Sequence, residues 1–213
     1  MNQNSTIAVL GGGGRTGKFL VTQLLQQGYS LNVLLRKPSN FVNHESLIEI
    51  VEGDALDIEA IRQLLKGCTA VLSTIGQRAD EPLVSLQATS NINKVMHEIN
   101  IRRYILVAGI NIDTPFDKKG PQTLAATEYM KTHFPAIHEN RQETYRLLSR
   151  DERLDWTLVR VPMIEFSEGK GDIKVSLDDC LGTKITAGDI AQFMIQQLHD
   201  DRFVRKAPFI ANE

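Results

Sequence analysis

Cysteine, tryptophan and excess charge of either sign are all scarce in this chain. Of its 213 residues two are cysteine and one is tryptophan, and 24 Lys and Arg against 26 Asp and Glu leave a formal charge of -2. Cys68 and Cys180 lie far apart and form no Cys-x-x-Cys pair, which argues against a disulfide framework or a zinc ribbon and fits a reducing cytoplasm. Without a basic excess, and with its charges scattered instead of blocked, the chain offers no electrostatic footprint for nucleic acid. Small-molecule partners are expected. No apolar run approaches the ~20 residues of a membrane span, and the opening MNQNST is polar without a basic start. A soluble, unprocessed protein follows as the expectation. Repeats, low-complexity tracts and linkers are absent too, so residues 1–213, 42% hydrophobic, are expected to form one domain.

What is present is alternation. Short apolar runs at Thr6 to Leu10, Leu31 to Leu35, Ile48 to Val51, Ala70 to Ile75, Tyr104 to Val107 and Trp156 to Val161 read as strands, several of them apolar almost throughout. Strands covered on both faces have that composition. Between them Thr16 to Gln27, Ile58 to Lys66, Leu83 to Asn100 and Gln122 to Arg150 carry apolar residues at three and four spacing, with Pro135 breaking the last. The pattern predicts an α/β fold, a single Rossmann-type doubly wound parallel sheet with helices on both faces. Asn111 to Gly120 and Ser167 to Leu181, rich in Asp, Lys and Gly, read as loops near the carboxyl ends of strands, where such sheets bind ligands.

The first strand runs into GGGGRTG. Gly11, Gly14 and Gly17 form Gly-x-x-Gly-x-x-Gly between a strand and a helix. The first permits a tight turn, the second lets a pyrophosphate approach backbone N–H groups at the positive helix end, and the third lets helix and strand pack closely. A triphosphate loop fits less well: Gly12, Gly17 and Lys18 follow its spacing, but Phe19 stands where the magnesium-binding hydroxyl is needed. At the end of the second strand, where an acid would accept from the ribose 2′-hydroxyl of NAD, the chain has Arg36. A guanidinium there suits the 2′-phosphate of NADP(H), so NADP(H) is expected in preference to NAD(H), and Arg15 could add a second positive charge. Asp54, after the third strand in EGDALD, could accept from the adenine amino group beside the backbone of Ala55, although an Asp after Gly is equally a turn or helix-cap signal.

The segments VLGGGGRTG, LLRKP, VEGDALD, VLSTIG, LDWTLVRVP and ITAGDIAQFM, in this order, resemble the atypical short-chain dehydrogenase/reductases of the NAD(P)H-binding, NmrA-like type across nearly the whole chain. The short length and IGQRAD, Ile75 to Asp80, are similar to the small biliverdin and flavin reductases, which bind NADPH and reduce planar acceptors. The resemblance implies that Gly11, Gly13, Gly14 and Thr16 touch the pyrophosphate, Arg36 the 2′-phosphate, Asp54 and Ala55 the adenine, and Thr74, Ile75 and Gly76 the ribose.

The chemistry departs from that pattern. No Tyr-x-x-x-Lys occurs, which disfavours alcohol oxidation and epimerisation. Where the resemblance would place a serine after the fifth strand stands Gly109, and where it would place a histidine after the sixth stands Met163. No proton donor is evident, and catalytic residues are left unassigned. Hydride transfer to a flavin, quinone or tetrapyrrole remains open, since the acceptor's own electronics carry it and water can supply the proton. The other reading is a non-catalytic NAD(P)-binding sensor. Arg78, Asn111, Arg141 and Met163 are the candidate acceptor-pocket residues, against ordinary solvent exposure for the first three and ordinary core for the last, and Phe166 could extend an apolar wall. His133 and His138 read as surface histidines, and no spacing suggests a metal. Monomer and dimer both stay open.

Overall fold

The structure, a computed structural model, describes residues 5–41, 46–78, 81–169 and 171–212. Met1 to Asn4 of the polar start, Ala79 and Asp80 of IGQRAD, and Lys170 of the second expected loop lie outside the described residues. The chain begins with β1 (Thr6–Leu10), α1 (Arg15–Gln26), β2 (Ser30–Leu35), β3 (Ile48–Glu52), α2 (Ile58–Leu65) and β4 (Cys68–Ser73). It continues with α3 (Ser85–Glu98), β5 (Arg103–Gly109), α4 (Pro121–His133), α5 (Pro135–Ser149) and β6 (Asp155–Val161). Four three-residue strands and a helix complete it: β7 (Met163–Glu165), β8 (Lys174–Ser176), β9 (Lys184–Thr186), α6 (Ala187–Gln196) and β10 (Phe209–Ala211).

Eight strands form one sheet in the order β3-β2-β1-β4-β5-β6-β10-β8, parallel throughout except where β8 runs antiparallel to β10. Strands β7 and β9 pair as a separate parallel ribbon. The expected doubly wound sheet is therefore present, but Ser167 to Leu181 is not wholly loop, because β8 lies within it. Side chains of β1 alternate between two cores. Ile7 and Val9 enter one built with α1 and α6, while Ala8 and Leu10 enter another built with α2, α3 and α5. Burial on both faces is what parallel pairing with a helix on each side demands, and it explains why these runs are almost wholly apolar.

Helix ends are set locally. Asp57 caps α2 by accepting from Glu59 N at 2.9 Å, and Thr186 caps α6 by accepting from Asp189 N at 3.1 Å. Pro135 does break the expected long helix into α4 and α5. Buried Cys68 opens β4 and donates its thiol to Leu64 O at 3.3 Å, and burial pushes its pKa up to about 12.

The segment 111–120 between β5 and α4 has neither helix nor strand, yet its charges hold it together. Asp117 accepts from Thr114 N at 3.0 Å, from Thr114 Oγ1 at 2.7 Å and from the buried guanidinium of Arg160 on β6 at 2.7 Å. The equally buried Lys119 ammonium donates to Asp113 Oδ1 at 2.7 Å, Ile112 O at 3.0 Å and Thr127 Oγ1 at 3.1 Å. Lys118 N donates to Asp178 O at 2.8 Å, joining this segment to the one after β8.

Candidate functional site

Strand order reverses between β1 and β4, since the chain leaves β1 toward β2 on one side and returns to β4 on the other. The crevice outside their carboxyl ends is the ligand position of open α/β sheets, and the glycine turn fills its floor. Gly11 adopts φ +79°, the left-handed region that glycine enters without strain. Its turn closes through Gly14 N donating to Gly11 O at 2.8 Å, and Thr74 beyond β4 donates its hydroxyl to Gly11 O at 3.3 Å. At Gly17 a β-carbon would stand 2.0 Å from Gly11 O, so only glycine lets the helix approach the turn. Gly12, which the sequence placed only in the less fitting triphosphate spacing, is closely packed too: a β-carbon there would meet Val33 Cγ1 at 2.7 Å. Gly14 is the N-cap of α1 in an extended conformation, with no capping side chain and no acid in the first turn. The first N–H groups of α1 are thus left for an anion from outside the helix. Gly13 is exposed at the mouth of this cradle, Thr16 is half-buried on the first turn, and Gly76 borders open space.

One flank of the crevice is charged. Arg36 lies at the end of β2, its guanidinium meeting both oxygens of Glu81, NH1 at 2.9 Å and NH2 at 3.1 Å. Arg78 approaches the same carboxylate at 3.6 Å. The Arg36 pKa is raised, first by the bond to Glu81 and further by the charges of Glu81 and nearby Asp54, burial opposing both. Asp54 makes the turn that its sequence allowed, accepting from Leu56 N at 2.9 Å, and Asn91 of α3 donates to Ala55 O at 3.1 Å. Arg15 does not join Arg36 in this conformation. Its guanidinium stacks on Phe166, 4.0 Å from the ring centroid, on the side of the crevice where the chain passes from β7 toward α6.

At the carboxyl end of β5 the missing serine has a visible replacement. A β-carbon on Gly109 would fall 2.5 Å from Asn111 Oδ1, so the Asn111 amide occupies the space next to the strand end. Its Nδ2 lies 2.9 Å from His138 Nδ1 of α5, and both residues are buried. His138 is therefore not a surface histidine. Burial lowers its pKa, Lys131 and Lys119 lower it further, and Asp113 and Glu139 oppose them in part. His133, by contrast, is exposed and stacks on Tyr129 with ring centroids 4.2 Å apart. One turn past His138, Arg141 extends to Val107 O at 3.4 Å and Ile75 O at 3.5 Å. Burial pulls its pKa below the ordinary guanidinium range, and among the described residues no carboxylate pairs with it. Met163 is 75% exposed, not core, and with Phe166 at 43% leaves apolar surface beside the crevice. Among the described residues no cluster of three or more His, Cys, Asp or Glu could hold a metal ion.

Residues 11–201 match the family described as NAD(P)H-binding. The chain belongs to that family. Of solved structures, a short-chain dehydrogenase/reductase from Veillonella parvula in complex with NADP is 16% identical with a TM-score of 0.81, covering 98% of this chain and 94% of that one. ChuY, an anaerobilin reductase from Escherichia coli O157:H7, is 14% identical with a TM-score of 0.80 and 97% coverage of each chain. Identities this low carry the fold alone. Among curated proteins, cinnamoyl-CoA reductase 1 of Petunia hybrida is 25% identical over 130 residues, 55% of this chain and 39% of that protein. The chain thus matches well under half the length of that relative. The NAD(P)H-binding assignment and the Rossmann-type fold shared with these structures agree with the glycine cradle at the β1/β4 crevice. For an NAD(P)H-binding chain the sequence reading missed three polar contributors: Glu81, Asn91 and His138. Each acts across 27 to 45 residues of sequence, a separation that no local spacing encodes.

Proposed function

We propose that the protein is an NADPH-dependent reductase that passes a hydride to a small planar acceptor such as a flavin, a quinone or a tetrapyrrole. The observation that carries this reading is the uncapped N-terminus of α1 behind a glycine turn, with Arg36 on its flank. The cradle fits a dinucleotide: Gly11, Gly13, Gly14, Thr16 and Gly17 would surround its pyrophosphate, Asp54 and Ala55 its adenine, and Thr74, Ile75 and Gly76 its ribose. Bound NADPH would supply the hydride. The chain's part is to hold and shield: Arg141 places a positive charge beside Ile75 and Val107, and Met163 and Phe166 offer an apolar wall to a flat ring. With the position of the serine given over to an amide bonded to His138, the proton of the reduced acceptor comes from water.

That same amide supports the alternative, an NAD(P)-binding sensor without turnover, because it leaves the strand end closed by a buried Asn–His pair. A panel assay separates the two. Purified protein should oxidise NADPH with at least one flavin, quinone or tetrapyrrole and with no secondary alcohol. Binding of NADPH without reduction of any acceptor would select the sensor. For the cofactor, Arg36→Ala should weaken NADPH by about 1–3 kcal/mol, the scale of a charged hydrogen bond, and leave NADH nearly unchanged in calorimetry.

A further inference from the structure

Glu81 has no role in the reading above, yet it holds the group on which cofactor choice depends. We propose that Glu81 sets the discrimination between the two dinucleotides, its carboxylate occupying the guanidinium face of Arg36 that a 2′-phosphate would take. This rests on the proposal that Arg36 is the 2′-phosphate ligand.

The geometry is that of substitution. A guanidinium fork accepts a carboxylate or a phosphate in the same two-bond arrangement, and Glu81 already makes both bonds, at 2.9 and 3.1 Å. A 2′-phosphate approaching Arg36 must displace this carboxylate and then remain beside it, like charge against like. A 2′-hydroxyl has the opposite relation to it, because it can donate to the carboxylate. The acid that the end of β2 lacks is thereby supplied from the segment after β4. Removing the charge of Glu81 should therefore help NADPH and not NADH.

The position of Glu81 does not depend on the ion pair. The Gln77 side chain donates to Arg78 O, Glu81 O and Pro82 O at 3.0, 3.0 and 3.2 Å and accepts from Val84 N at 3.3 Å. These bonds hold the Glu81 and Pro82 carbonyls and the Val84 amide, so Glu81→Gln removes charge while leaving those backbone contacts in place. Arg36 and Glu81 are each more than a third exposed, with side-chain exposures of 45% and 37%. Solvent screens such pairs, which limits the expected gain to about two- to fivefold.

The test is calorimetric titration of NADPH and NADH into wild type, Glu81→Gln, Arg36→Ala and the double variant. Glu81→Gln should bind NADPH about two- to fivefold more tightly and NADH equally or more weakly, and the gain should vanish in the double variant. Unchanged or weaker NADPH binding by Glu81→Gln, with Arg36→Ala still impaired, overturns the role of Glu81 alone. A gain that persists without Arg36 also overturns it, since the effect would then be a general change of potential. If Arg36→Ala leaves NADPH affinity untouched, the assignment of Arg36 itself has failed and the proposal falls with it.

Discussion

Two glycines three residues apart in the same turn, Gly14 and Gly17, carry different duties, and substitution should separate them. At Gly17 a β-carbon would sit 2.0 Å from the carbonyl of Gly11, which is backbone and cannot swing aside. Gly17→Ala should therefore cost stability, about 1–3 kcal/mol or more as overpacking does, read as a lower urea midpoint. At Gly14 the backbone is extended and the nearest neighbour of a β-carbon is 3.0 Å away, so Gly14→Val should fold with the turn yielding slightly. It should nevertheless lose NADPH binding in calorimetry, because the side chain would project into the anion cradle. His138 makes a second prediction. Its folded pKa lies below the unfolded value of ~6.5, so protonation favours the unfolded chain. Its contribution is complete above that value and is lost as pH falls through it toward the folded pKa. Urea midpoints of wild type should drop between pH 7.5 and 5.5, and His138→Gln should shrink that drop.

Among elements, the segment 111–120 behaves as a built part of the fold. Asp117 is the acid on which Arg160 depends, and the Arg160 side chain is only 1% exposed. Asp117→Ala would leave that guanidinium buried and unpaired, at a cost of about 3–5 kcal/mol, measurable by urea denaturation. A loss below 1 kcal/mol would mean that water or another group reaches Arg160. The sequence made this segment legible as a loop at a strand end, because Asp, Lys and Gly interrupt the apolar pattern. It did not reveal that two of the charges, Asp117 and Lys119, point inward. Strands β1, β2, β5 and β6 were legible because both faces of each are buried and the runs are apolar. The expected fourth strand lay two residues late, since Thr74 and Ile75 leave the sheet to brace the glycine turn. Helix α6 escaped the periodicity reading for a physical reason: Ala187 to Ala191, Phe193, Met194 and Ile195 are all buried, and only Gln192 and Gln196 face solvent, too narrow a polar stripe to mark it. The short strands β7 to β10 are too brief to show a period at all. At the site, the glycine turn and Arg36 could be read in order along the chain, whereas the Asn111 amide beside Gly109 is created by packing between β5 and α5.

At the scale of the molecule, the two cores share one sheet, and the cysteines sit at different depths in it. Cys68 opens β4 near the middle, while Cys180 lies beside β10 toward an edge and donates to Gly182 O at 3.2 Å. Burial raises both thiol pKa values, that of Cys68 to about 12. At pH 8 roughly one Cys68 in 10⁴ would be a thiolate, too few for direct attack by an alkylating reagent. Each thiol is then a clock that starts only when its surroundings open. Iodoacetamide under native conditions should label Cys180 before Cys68, with peptide masses followed in time. The interval between them measures how long the edge of the sheet can breathe while its centre stays shut, and equal rates would mean that the sheet parts only as a whole.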